Sequence, residues 1–152
     1  MNTLQLDIIP KKGLGELHFG DTSENVIRHL GQPEDLENIE DVDNFNTVVL
    51  YYWEQGITVF FEGKGKSVVS CIEVENPDAK MFGKAIFEMT EEDIKSLMKE
   101  KGYELAEVEH ETSGEKRVSY DDAMIDFFFA EGDLVAVNWG VLVNEHGEIE
   151  EI

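Results

Sequence analysis

The sequence predicts an α+β fold built from two tandem units, each a helix followed by antiparallel strands. Three observations carry this. The chain matches itself at one constant offset, with Phe19 on Phe87, Thr22 on Thr90, Glu24 on Glu92, Tyr52 on Tyr120, Ile57 on Ile125, Phe60 on Phe128 and Phe61 on Phe129. Helix-capping signals occur once in each half, and runs rich in β-branched and aromatic residues follow each of them. The units, residues 1–76 and 77–152, are expected to join into one curved eight-stranded sheet with the helices on one face.

The elements follow in order. Leu4, Leu6 and Ile8 alternate as a leading strand. Thr22 can cap a short helix with Val26, Ile27 and Leu30 on one face, and Gly31 followed by Pro33 ends it. Strands are expected at 47–53, 57–61 and 67–74, with turns at Gly56 and around residues 63–65. The segment 76–80, which contains Pro77, reads as the joint between units. In the second half Thr90, Glu91, Glu92 and Asp93 have capping-box spacing, and Ile94, Leu97 and Met98 recur at helical intervals before Gly102. Strands follow at 103–108, 116–120, 124–129 and 134–143, and Gly147 turns a last one at 149–152.

At this point the residues resemble a known pattern. Gly20-Asp21-Thr22, Val26, Leu30-Gly31 and Pro33 are similar to the opening of the small-lipoprotein fold of the SmpA/OmlA type, an outer-membrane assembly factor. A duplicated helix-plus-hairpin unit resembles the β-lactamase inhibitor protein. The second half matches only through the repeat, since Glu88 stands in place of Gly20 and Lys99 in place of Gly31. The chain also departs from both in having no lipid-accepting cysteine near its start and no cysteine pair. What the resemblance implies is the fold and protein binding through the sheet, without membrane anchoring.

Composition narrows the function. With 12 basic against 34 acidic residues the formal charge is −22, and 41% hydrophobic residues are enough for a core. Such a surface repels phosphate backbones and anionic lipid, so no nucleic-acid or membrane partner is expected. The opening residues show no basic stretch leading into an apolar one, and no run approaches a membrane-spanning length, so a cytoplasmic setting is expected. Cys71 is alone, excludes an internal disulfide, and reads as a core residue of an apolar strand.

The motifs that could carry chemistry fail on spacing. Gly63-Lys64-Gly65-Lys66-Ser67 ends like a phosphate-binding loop, but a phenylalanine stands where the first glycine is needed and a strand follows instead of a helix. Six carboxylates fall within residues 34–44, yet calcium-loop spacing is absent, so this segment reads as a solvated loop. His18, His29, His110 and His146 are scattered and read as surface residues. No cofactor, metal or enzymatic activity is expected.

Face analysis gives the candidate site. Alternation places Leu50 and Tyr52 on one side of the sheet and Tyr51 and Trp53 on the other. The positions that the repeat matches to Tyr51 and Trp53 are Ser119 and Asp121, which marks that side as the wet one. Phe60 and Phe128 fall on the same side as Thr58 and Asp126. Tyr51, Trp53, Phe60 and Phe128 are therefore the expected partner-binding residues, because aromatic anchors inside a charged rim bury large area at low entropic cost. The partner expected is a basic protein, with this chain acting as inhibitor or immunity protein of a cationic enzyme or toxin. The alternative is a homodimer or larger homo-oligomer with a structural or regulatory role.

Overall fold

The computed structural model describes residues 5–40, 45–64, 67–144 and 148–150. In chain order the elements are β1 (Asp7–Ile9), β2 (Gly13–Leu14), β3 (Leu17–His18), α1 (Ser23–Leu30), β4 (Asp35–Glu40), β5 (Phe45–Tyr52), β6 (Ile57–Lys64) and β7 (Val68–Val74). Then come β8 (Lys80–Met81), β9 (Lys84–Ala85), a 3-10 turn at Ile86–Glu88, α2 (Glu91–Glu100), β10 (Glu107–His110), β11 (Lys116–Tyr120), β12 (Ile125–Ala130), β13 (Asp133–Gly140), β14 (Leu142–Val143) and β15 (Ile149–Glu150). The class is α+β and mostly β.

The main sheet has eight antiparallel strands in the order β10-β11-β12-β13-β7-β6-β5-β4. Each group of four is a meander, and the two meet where β13 pairs with β7, from Val137 opposite Val74 to Gly140 opposite Cys71. A small five-stranded sheet, β3-β2-β1-β8-β9, takes strands from both halves through the parallel pair β1 and β8.

Both helices form for the reasons read from the sequence. The Thr22 hydroxyl accepts from the Asn25 amide at 3.3 Å, and Gly31 ends α1 with a φ of 86°. Two side chains from the end of β5 and just beyond it answer its last carbonyls: Gln55 Nε2 donates to Leu30 O at 3.1 Å and the Tyr52 hydroxyl to Gly31 O at 2.9 Å. In α2 the capping box closes in both directions between Thr90 and Asp93, each bond at 3.1 Å. Val26 and Leu30 of α1, with Ile94, Leu97 and Met98 of α2, are buried in one cluster with Leu50, Tyr52, Val59, Phe61, Ile72, Phe127 and Trp139 of the main sheet. Helices and small sheet thus cover one face, and the Trp139 indole ties them together by donating to Gly13 O at 3.1 Å.

Several features recur at the offset that the sequence repeat defines. The pairing register slips between Phe60 and Phe61 and again between Phe128 and Phe129. Gly56 and Met124 both take positive φ, as do Gly15 and Gly83. Tyr52 and Tyr120 are both buried.

Other expectations are corrected. The acidic run is not a loop over residues 35–40; it is β4, because pairing with β5 satisfies its backbone whatever its side chains carry. Residues 41–44, the turn at 65–66, Leu4, His146 and Gly147 lie outside the described residues. The strand expected from Tyr103 begins only at Glu107, and the one expected through Val143 breaks at Val141. Cys71 is not in the core: it pairs with Phe60, half-buried on the face away from the helices.

The junction leaves no room for a side chain at Gly140, where a Cβ would lie 2.5 Å from Ser70 O. Gly140→Ala should cost about 2 to 3 kcal/mol, read as a lowered urea midpoint, while Thr90→Ala, which removes one cap, should cost about 1 kcal/mol. A Gly140→Ala midpoint equal to that of the parent would mean the two strands are not held at this spacing.

Candidate functional site

Register places the outer face residue by residue. From β4 to β10 it carries Asp35, Glu37 and Ile39; Thr47, Val49 and Tyr51; Thr58, Phe60 and Glu62; Cys71 and Glu73; Asn138 and Ala136; Asp126 and Phe128; Ser119 and Arg117; Glu107 and Glu109. All four expected anchors keep some solvent exposure, Trp53 most at 60%. Ser119, by contrast, is only 6% exposed, so the face is not uniformly wet.

Tyr51 and Trp53 form a unit. Their rings lie 5.7 Å apart, tilted by 33°. Trp53 sits just past β5 in the turn to β6, and Glu34 holds that turn: its carboxylate accepts from the Trp53 amide at 3.1 Å and from the Glu54 amide at 3.5 Å. The Tyr51 hydroxyl donates to Glu37 Oε2 at 3.0 Å. That bond, then burial and the charges of Glu37 and Asp35, raises the Tyr51 pKa. A tilted aromatic pair is therefore held by Glu37 through the Tyr51 hydroxyl and by Glu34 through the Trp53 backbone amide, with Trp53 exposed.

Phe60 lies beside this pair, its Cα partner on β5 being Val49. Phe128 does not. It stands three strands away and four residues along, roughly 20 Å from Phe60 at about 4.8 Å per strand and 3.4 Å per residue. There it lines a recess of about 250 Å³ with Val135, Ala136 and three carboxylates, Glu73, Glu75 and Glu115. Burial, and then the charges of Glu75 and Glu115, raises the Glu73 pKa against the opposing bond from Asn138. Neighbouring Arg117 is already engaged, donating to Glu109 and lying 3.9 Å from Glu111.

Sequence reasoning finds the aromatics and misses their acidic partners. Glu34 and Glu37 belong to the run read as a loop, and Glu73, Glu75 and Glu115 come together only through strand pairing. The alternation of Glu73 and Glu75 in 71–75 is the available signal.

The centre of the face is polar and hydrogen-bonded. The Cys71 thiol donates to Asn138 Oδ1 at 3.0 Å, Asn138 Nδ2 to Glu73 Oε1 at 3.3 Å, and Ser70 Oγ to Glu62 Oε1 at 2.9 Å. Among the described residues no group of three His, Cys, Asp or Glu side chains could hold a metal ion. No helix among them is long and apolar enough to cross a membrane.

No family model matches the chain, and no curated protein matches it. Among solved structures it is similar to a DUF4309 family protein, YjgB, from Bacillus subtilis subsp. subtilis strain 168, with 20% identity, coverage of 77% of this chain and 76% of that one, and a TM-score of 0.42. A likeness of that degree fixes no function.

Burial, followed by Glu73, Glu62 and Asp126, pushes the Cys71 thiol from 9.0 up to about 12, and burial followed by Glu34 pushes Tyr52 from 10.0 up to about 12. Above pH 9 the folded chain therefore holds protons that the unfolded chain releases. The stability from these groups is complete below that pH and is lost as pH rises towards 12. Urea midpoints should fall across this window and fall less steeply in Cys71→Ser and Tyr52→Phe; a parent profile that stays flat would contradict the burial of both groups.

Proposed function

We propose that the chain is a non-enzymatic protein-binding module that captures a basic protein on its outer sheet face, as an inhibitor or immunity protein of a cationic enzyme or toxin, in the cytoplasm and without a cofactor. The observation that carries this is the Tyr51 and Trp53 pair, exposed and braced by Glu34 and Glu37. Aromatic anchors that are already held in place lose little freedom on binding, and the surrounding carboxylates attract cations. Phe60 extends the same patch. A standard interface of about 800 Å² per partner is roughly 30 Å across, wide enough to reach Phe128 and its three glutamates as well. The −22 charge accelerates capture of a positive partner by about 10- to 1,000-fold.

The same reading includes an internal duplication of residues 1–76 in 77–152, and with it the resemblance to the β-lactamase inhibitor protein and the SmpA/OmlA type. The paired register slips at Phe60 and Phe128, and the paired caps at Thr22 and Thr90, support it.

Leu36 and Ile39 on the edge strand β4, 58% and 50% exposed, favour a second reading, a homo-oligomer closed through that edge. Against it stands the net charge, which any self-contact near Glu37 would have to overcome.

The two readings separate in solution. With a basic partner recovered from the source cells, association should slow at least tenfold from low to physiological salt, and Trp53→Ala should raise the off-rate by about 30-fold, the equivalent of about 2 kcal/mol. Sedimentation of the chain alone should give a monomer. A stable dimer that Leu36→Glu or Ile39→Glu converts to monomer would replace the first reading with the second.

A further inference from the structure

On the helix side, away from the outer face, α2 and the segment leading into β10 enclose a recess of about 300 Å³, lined by Lys95, Lys99, Tyr103, Glu104, Leu105 and Tyr120. Its walls are apolar, formed by Leu105, itself 46% exposed, and by the rings of Tyr103 and Tyr120. Tyr120 is only 2% exposed as a residue, and among the described residues no protein group bonds its hydroxyl, which meets solvent. Tyr52, its counterpart in the first half, shows what is missing, since its hydroxyl donates to Gly31 O at the end of α1. α2 is two residues longer than α1, and Lys99, still helical, occupies the position of Gly31. No helix-end carbonyl reaches Tyr120, and the recess remains in its place.

The charged lining residues are two lysines, Lys95 and Lys99, and one carboxylate, Glu104, with Glu91 and Glu92 of α2 close by. Lys95 and Lys99 stand one helical turn apart. Glu91 is shared between Lys95 at 2.7 Å and Lys116 at 2.8 Å, so one carboxylate answers two ammonium groups. Lys99 has no ion pair among the described residues. Glu104, the acidic member of the lining, opposes any second negative charge.

We propose that this recess binds a small amphipathic monoanion, a carboxylate on an aromatic or medium-chain aliphatic body. The body lies against Tyr103, Leu105 and the Tyr120 ring, and the carboxylate accepts from the Tyr120 hydroxyl and the Lys99 ammonium. A recess of this size is at the lower end of ligand pockets and holds a body of roughly eight to ten carbons. Among the described residues no protein group bonds the Tyr120 hydroxyl, which is open to solvent and so available to donate to a bound carboxylate in a charge-assisted bond. The site is independent of the protein-binding reading.

The test is a titration of the full ¹⁵N-labelled chain with octanoate, octanol and octylamine, followed by amide shifts. Octanoate should give saturable shifts at Lys95, Lys99, Tyr103, Leu105 and Tyr120, with octanol about fivefold weaker and octylamine at least about tenfold weaker. Lys99→Glu should weaken octanoate at least about tenfold at an unchanged thermal midpoint, and Tyr120→Phe about three- to fivefold. The proposal is overturned if octylamine binds as well as octanoate, if Lys99→Glu leaves octanoate binding intact, if the shifts centre on Tyr51 and Trp53, or if no saturable shift arises up to about 10 mM.

Discussion

The ladder between β7 and β13 is the contact on which the rest of the molecule depends. It turns two four-stranded meanders into a single sheet, and both of its faces are used. On the helix side, Ile72, Val74, Val137 and Trp139 feed the common core, and the Trp139 indole reaches Gly13 in the small sheet. On the outer side, Cys71, Asn138 and Glu73 are bonded across the seam. The approach is close enough that Ser70 O, which accepts from the Val141 amide at 2.9 Å, excludes any side chain at Gly140.

That seam also separates the two kinds of surface. Most of what the sheet buries goes to the helix side, and the outer face holds mainly polar and aromatic residues, with Val49, Ser119 and Ala136 buried among them. Tyr51 and Trp53 are held there by carboxylates from β4 and the residue before it, so the groups that give the patch its charge also fix its geometry. The helix-side recess has a different origin. It follows from α2 extending where α1 stops, so that two tyrosines in matching places have unlike surroundings.

The sequence exposes those parts of the fold that depend on near neighbours. Thr22 and Thr90 cap their helices because the donors they answer lie three residues on. The strand at Lys116–Tyr120 and the outward direction of Tyr51 and Phe60 follow from simple alternation. Features that depend on distant partners are hidden. β4 reads as a loop because its carboxylates outweigh the pairing that β5 offers. Cys71 reads as core because Val68 and Val69 precede it, while the slip in register by Ser70 sends the thiol outward. The glutamate recess around Phe128 needs three strands, and the free hydroxyl of Tyr120 needs a comparison of two helix ends.

Among the described residues, β4 and β10 are the outermost strands of the main sheet, and no further strand pairs with their outer edges. Such edges are templates on which identical molecules can stack into filaments. Here Asp35 and Glu37 line one edge and Glu107 and Glu109 the other, so a second copy of the chain laid along either edge would bring like charges face to face. Like charge along both edges therefore opposes the edge-to-edge stacking of identical chains.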